Sequence, residues 1–245
     1  MNLKIKAFAS AVIGGAALMG AANANLVIDS ASYTAEGCLG ASSCTIGTAT
    51  LTATTDMGST ATFSEQDFRG VKGLGVSFLP GVPSGAQNAN ELQGGLTDGE
   101  GEKVIVEFET AILIAEIVLA HFYNPAEFRS DPQEVAIITG CADAAMTNCE
   151  TLTIRNNDNM AMGFDVMGDA TVTRISTFTG EFSITDLFPT LGPIAKLMFE
   201  AGEVSNGDNA DYSIHSITEV PIPGAALLLL SGLFGLGFAS RRRKA

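Results

Sequence analysis

Short apolar stretches separated by polar, glycine-bearing connections fill most of this 245-residue chain. Residues 45–55 alternate Thr with apolar side chains, a strand signature, because β-branched residues suit a pleated, half-buried surface. Residues 58–67 read as the antiparallel partner of that strand, reached through Asp56-Met57-Gly58. Val104, Val106 and Phe108 recur at a period of two over 104–109, and 112–119 is almost continuously apolar. Glu116 interrupts that second run, and period alone leaves a short helix open there. The dominance of β-branched residues, followed by the Asn124-Pro125 break, favours a strand. Further strands are expected at 26–28, 134–139, 150–155, 171–178, 182–184, 194–200 and 212–217. No stretch reads as a helix of any length and there is no internal repeat, so the spacing predicts an all-β chain built as a β-sandwich.

The two ends depart from this pattern. Lys4 and Lys6 precede an apolar run at 7–19, and Ala22-Asn23-Ala24 supplies a small-x-small cleavage site. Residues 1–24 are therefore expected to be a cleaved signal peptide; the run is too short and too rich in Gly and Ala to span a bilayer comfortably. At the other end, residues 224–240 carry no charge and are followed by Arg241, Arg242, Arg243, Lys244 and Ala245. At ~1.5 Å per residue the run is ~25 Å long, near the lower limit for a transmembrane helix. Its basic tail stops transfer and stays cytoplasmic, which leaves residues 25–219 outside as an ectodomain. Pro221 and Pro223 cannot donate backbone hydrogen bonds, and each disfavours helix in the residue before it. Residues 220–223 are thus expected to stay extended, as a membrane-embedded protease or transpeptidase would need.

The order VPIPGAALLLLSGLFGLGFASRRRKA resembles the PEP-CTERM sorting signal of Gram-negative bacteria in its Val-Pro-Leu-Pro-Ala variant. The motif positions are Val220, Pro221, Ile222, Pro223 and Gly224; Ile222 stands where the parent signal has Glu, and Gly224 where the variant has Ala. The resemblance implies recognition by an exosortase, an integral membrane cysteine enzyme. It also implies a transient stay in the inner membrane, facing the periplasm, and delivery to the cell surface or the exopolysaccharide matrix. The segments GLGVSFLPGVPSGAQNANELQ and GEKVIVEFETAILIAEIVLAHFY, with Asp211-Tyr212-Ser213-Ile214 before the signal, resemble galactose-binding-like jelly-roll ectodomains. In those a Gly-Leu-Gly-Val loop precedes a strand ending in Phe, so the resemblance implies a jelly-roll-like sandwich.

Charge narrows the partners. All 27 acidic residues lie in 25–219 and only seven of the 13 basic ones do, a net charge of −20 there. Such a surface argues against nucleic acid, whose binding depends on Lys and Arg neutralising phosphates. It is compatible with divalent cations or glycans. There is no Trp, which weakens a sugar site built on stacked aromatics. Cys38, Cys44, Cys141 and Cys149 form two close pairs in an exported chain, so disulfides are expected. Three connectivities are possible, with the local Cys38–Cys44 and Cys141–Cys149 favoured by spacing and by the turn residues between the partners. The spacings do not fit a zinc site.

Candidate chemistry is sparse. No nucleophile elbow, zinc-helix motif, phosphate loop or dinucleotide fingerprint is present. His121 and His215 read as structural; Glu107 and Glu109 share a strand face and read as solvated carboxylates. Asn206, Asp208, Asn209 and Asp211 form an oxygen-rich loop, as do residues 156–159, which suits either a turn or calcium. No other cofactor is expected. The sequence thus predicts a non-enzymatic, exosortase-sorted surface or matrix protein associated with exopolysaccharide. The alternative is a carbohydrate-binding or adhesion module with a defined glycan.

Overall fold

Alternating apolar and polar side chains produce a succession of short strands in the computed structural model, which describes residues 26–77, 91–94, 101–123, 134–156, 164–202 and 211–220. In chain order they begin with β1 (Val27–Ile28), a one-and-a-half-turn helix α1 (Ser30–Ala35), β2 (Ser43–Ile46), β3 (Ala49–Thr55), β4 (Thr62–Phe68), β5 (Val71–Ser77) and β6 (Leu92–Gln93). They continue with β7 (Glu102–Ile112), β8 (Ile114–Ala120), β9 (Val135–Cys141), β10 (Cys149–Asn156) and β11 (Phe164–Met167). The last four are β12 (Thr171–Ser176), β13 (Glu181–Thr185), β14 (Ile194–Ala201) and β15 (Asp211–Glu219). One antiparallel sheet runs β12-β13-β8-β15-β5-β4, with β1 and β6 also bonded to β15; the other runs β11-β10-β9-β14-β7-β3-β2.

Inward-facing residues of both sheets meet in one core. Val104 and Val106 of β7, Leu197 and Phe199 of β14 and Ile138 of β9 pack in the same cluster as Ile117 and Leu119 of β8, Phe182 of β13 and Tyr212 of β15. Two antiparallel sheets stacked on a shared apolar layer make the domain sandwich-like. At one pole the strand ends carry Leu26 and Glu219; at the other they carry Asn156, Ala201 and Asp211. We call these the terminal pole and the distal pole.

Several sequence expectations need correction. The stretch 45–55 is not one strand: it turns at Gly47, whose φ is +57°, and becomes the β2–β3 hairpin. Its expected partner at 58–67 lies mostly in the other sheet, where β4 pairs with β5; it meets β3 through the isolated Thr54–Thr60 bridge and the hydrogen bonds of the turn around Ser59. The Gly-Leu-Gly-Val run is strand β5 rather than a loop. Gly73 there lets β15 approach closely, since a Cβ on it would lie 1.9 Å from the Ser213 hydroxyl oxygen. The helix α1 was missed because six residues carry no amphipathic period; a capping box between Asp29 and Ser32 starts it instead. The strand expected at 171–178 stops at Ser176. The strand reading of 112–119 agrees with β8. Residues 1–24 and 221–245, with Pro221, Pro223 and the apolar run at 224–240, lie outside the described residues. Among the described residues no helix is long and apolar enough to cross a membrane.

The four cysteines form the two local disulfides, Cys38–Cys44 and Cys141–Cys149, which place the chain in an oxidising compartment. The first closes one edge of the sandwich. Between its cysteines the Gly40 N–H donates to the Phe63 carbonyl, and the Phe63 N–H to the Ala41 carbonyl, at 2.8 and 2.9 Å. The Ala53 N–H donates to the Ser42 carbonyl at 2.9 Å, so residues 40–42 stitch β4 of one sheet to β3 of the other. Edge strands otherwise present unpaired backbone groups that invite association. Replacing Cys38 and Cys44 together by Ala should cost about 2 kcal/mol by the loop-entropy rule. Urea denaturation measures this loss. An unchanged midpoint would assign the edge closure to the backbone bonds alone.

Candidate functional site

Two turns meet at the distal pole over a buried histidine. The first is the tip of the β4–β5 hairpin, where Phe68 pairs with Val71 and only Arg69 and Gly70 lie between. Both take positive φ, +57° and +84°, as a type I′ turn demands. Asn-Gly is the usual solution; an Arg at the first position is held in a conformation unfavourable to a long side chain. The Asp67 carboxylate accepts from the Gly70 N–H at 3.2 Å and steadies the tip. The second turn joins β12 to β13. Its Phe178 and Thr179 N–H groups donate to the Ser176 hydroxyl at 3.2 and 3.3 Å. The Thr179 hydroxyl donates to Glu181 at 2.5 Å.

His121 ties the turns together. Its N–H donates to the Thr179 carbonyl, and the next N–H, of Phe122, donates to the Gly180 carbonyl. Gly180 is required here: its φ is +59°, and a Cβ would lie 2.6 Å from the Phe122 nitrogen. The Phe68 ring packs edge-on against both His121 and Tyr123, with centroids 6.4 and 6.2 Å away. On the outside, the Arg69 guanidinium carbon lies 4.9 Å from the Phe68 centroid and 4.3 Å from that of Phe178. Phe178 itself is 68% exposed.

Beneath this cap, His121 Nδ1 is 2.7 Å from the Ser213 hydroxyl and 3.4 Å from Glu91, and all three residues are buried. The Ser213 hydroxyl also lies 3.3 Å from the Ala120 carbonyl. The residue types are those of a serine hydrolase triad, but the geometry is not. Acyl transfer needs serine on one imidazole nitrogen and the acid on the other. Here both share Nδ1, and Gly73 packs on the hydroxyl where a substrate carbonyl would have to enter. The cluster is a buried polar brace between β8, β15 and the segment before β6. His215 acts similarly: its Nδ1 donates to the Lys72 carbonyl at 2.7 Å and bonds β15 to β5. The structural reading of both histidines agrees with this geometry.

The remaining sequence candidates are scattered. Glu107 and Glu109 do point outward from β7, beside a shallow cleft of about 370 Å³ that Thr45, Thr48 and Thr50 also line. Lys196 pairs with Glu107 at 2.5 Å, so the two carboxylates are not equivalent. Asp211 is not in a loop: it opens β15, is buried, and faces Gln93 across the ladder. Asn206, Asp208 and Asn209 lie outside the described residues. Asn156 is the last residue of β10, fully buried, with its side-chain amide donating to the Phe122 carbonyl at 3.0 Å; residues 157–159 lie outside the description. Among the described residues no three His, Cys, Asp or Glu side chains converge to hold a metal. Val220 is exposed and its N–H donates to the Leu113 carbonyl at 2.8 Å.

The Arg69–Phe178 pairing was missed in the sequence because it joins residues over a hundred positions apart. A local signal was present: Gly70 as the second residue of a tight turn, with Asp67 two residues before that turn.

Burial pushes the His121 pKa down to about 4, outweighing the Val71 backbone and the charges of Glu181 and Asp67; His215 works in the same direction as burial. A base with a lowered folded pKa is neutral in the fold and takes its proton first in the unfolded chain. Its contribution is therefore complete above the unfolded value near 6.5 and is lost as pH falls from there to about 4, by about 3 kcal/mol. His121→Asn, which tolerates positive φ, should flatten that stretch of the stability-against-pH curve relative to wild type in chemical denaturation. Parallel curves would show that His121 does not contribute to the acid loss.

The chain matches no protein-family model and no curated protein, so its function is argued from its own residues.

Proposed function

We propose that the chain is an exported, exosortase-sorted protein of the cell surface or extracellular matrix, non-enzymatic, associated with exopolysaccharide and folded as a jelly-roll-like sandwich. The observation that carries the proposal is the ordered run Val220-Pro221-Ile222-Pro223, then 17 uncharged residues, then Arg241-Arg242-Arg243-Lys244. An anchor needs only the apolar run and the basic tail; the prolines serve a processing enzyme. The fold supports this reading where the motif begins. Strand β15 ends at Glu219, and Val220, exposed, is the first residue beyond it. Strand β15 therefore runs up to the first residue of the motif. Glu219 is fixed by the other chain end: the Glu219 N–H donates to the Leu26 carbonyl at 3.1 Å, and the Leu26 N–H donates to the Glu219 carboxylate at 3.2 Å. A cut beyond Val220 would leave this clasp intact. The non-enzymatic part of the proposal is supported by the shared-nitrogen geometry at His121 and by the Lys196 pairing of Glu107.

Replacing Pro221 and Pro223 by Ala should leave export and insertion unchanged, because hydrophobicity and the positive flank are untouched. The variant should accumulate at full length in the inner membrane, since Ala lets helix extend through the segment. A C-terminal tag followed through fractionation, in a host that carries the cognate exosortase, reads this out. Wild type keeping its tag in the inner membrane there, just as the variant does, would reduce the protein to a plain anchored one.

A further inference from the structure

Among the described residues, lysines on this acidic surface are held by carboxylates. Lys72 pairs with Glu65, Lys103 with Asp56 and Glu200, and Lys196 with Glu107. Arg69 makes no ion pair with any described carboxylate. The two acids of its own neighbourhood are engaged elsewhere, Asp67 with the Gly70 N–H and Glu181 with the Thr179 hydroxyl. The Arg69 guanidinium lies over two aromatic rings, and the outer one, Phe178, presents most of its surface to solvent. The Arg69 backbone holds positive φ on a hairpin tip where Asn or Gly would be less strained, and backbone held in sparse regions clusters at ligand sites.

We infer that Arg69 and Phe178 form a binding spot for a carboxylate-bearing sugar, a uronate unit of an acidic polysaccharide. Contact with the ring faces consumes none of the guanidinium N–H donors, whose fork can match a carboxylate with two parallel hydrogen bonds. The exposed Phe178 ring offers an apolar platform for the C–H face of the same sugar ring. Gly180, His121 and Phe68 fix the two turns so that ring and fork need no rearrangement. The inference deepens the matrix proposal by naming the chemistry of the polymer. It also carries a signature in salt. The ectodomain's net charge of −20 repels a polyanion at long range, and that repulsion is screened beyond ~8 Å at physiological ionic strength. Binding should therefore strengthen from about 0.01 M to about 0.15 M salt, the reverse of a basic patch that releases counterions.

The test is affinity electrophoresis of the full chain in neutral detergent micelles, through gels containing polygalacturonate or uncharged dextran. Wild type should be retarded by polygalacturonate and not by dextran. Arg69→Asn and Phe178→Ala should each weaken the retardation roughly tenfold or more, as loss of a charge-assisted contact implies. Arg69→Asn creates the preferred turn dipeptide and should melt no lower than wild type. Should that variant fold poorly, Phe178→Ala decides, since it removes a mostly exposed ring. Equal retardation by dextran, or wild-type retardation of both variants, overturns the inference. The assay needs neither export nor processing, so its failure leaves the sorting proposal standing, and failed sorting leaves this one standing.

Discussion

Strand β15 bonds to four other strands, β8 along one side and β6, β5 and β1 in succession along the other. That arrangement constrains nearly everything else. Tyr212, Ile214 and Ile217 reach the core from it, while Ser213 and His215 bond His121 and the Lys72 carbonyl. A strand with one neighbour on each side could pair with side chains of any size. A strand sharing one side among three short segments needs close approach at their junctions, which is where Gly73 stands against Ser213. The last described strand thus lies in the interior of its sheet and not at a fraying edge.

The acidic charge and the buried polar brace are consequences of the same economy. Carboxylates on the outer surface cost little in water, and several are turned to local use, as when Asp143 accepts from the Thr147 and Asn148 N–H groups inside the second disulfide loop. Those bonds hold its carboxyl below the usual range. Inside, a polar side chain is tolerated only with partners. The Tyr33 hydroxyl donates to Glu65, which in turn accepts Lys72, so one carboxylate links α1, β4 and β5.

Most strands were legible because period-two alternation is a local property: Val104, Val106 and Phe108 announce β7 without help from any neighbour. Pairing was not, because it depends on the whole chain. Residues 45–55 and 58–67 look like a hairpin, yet the stitch through residues 40–42 and the Arg69-Gly70 turn send them to different sheets. Glycine misled for a physical reason as well. Gly73 and Gly75 lower strand propensity, while the cross-strand contact that favours Gly73 is with Ser213, far along the sequence. The disulfides were readable from spacing and compartment. The Arg69–Phe178 contact was not, since its turn was visible but its ring partner was not.

Strand β15, interior to its sheet, is expected to belong to the most stable unit of the fold. Native-state hydrogen exchange of the amides of Ile214, Ile217 and Thr218 tests it most directly. If β15 is the interior strand described, these amides exchange as slowly as those of β7 and β14 and with the same denaturant dependence, through global unfolding alone. Exchange of these amides through a separate, low-energy opening, with β7 and β14 still protected, would contradict it.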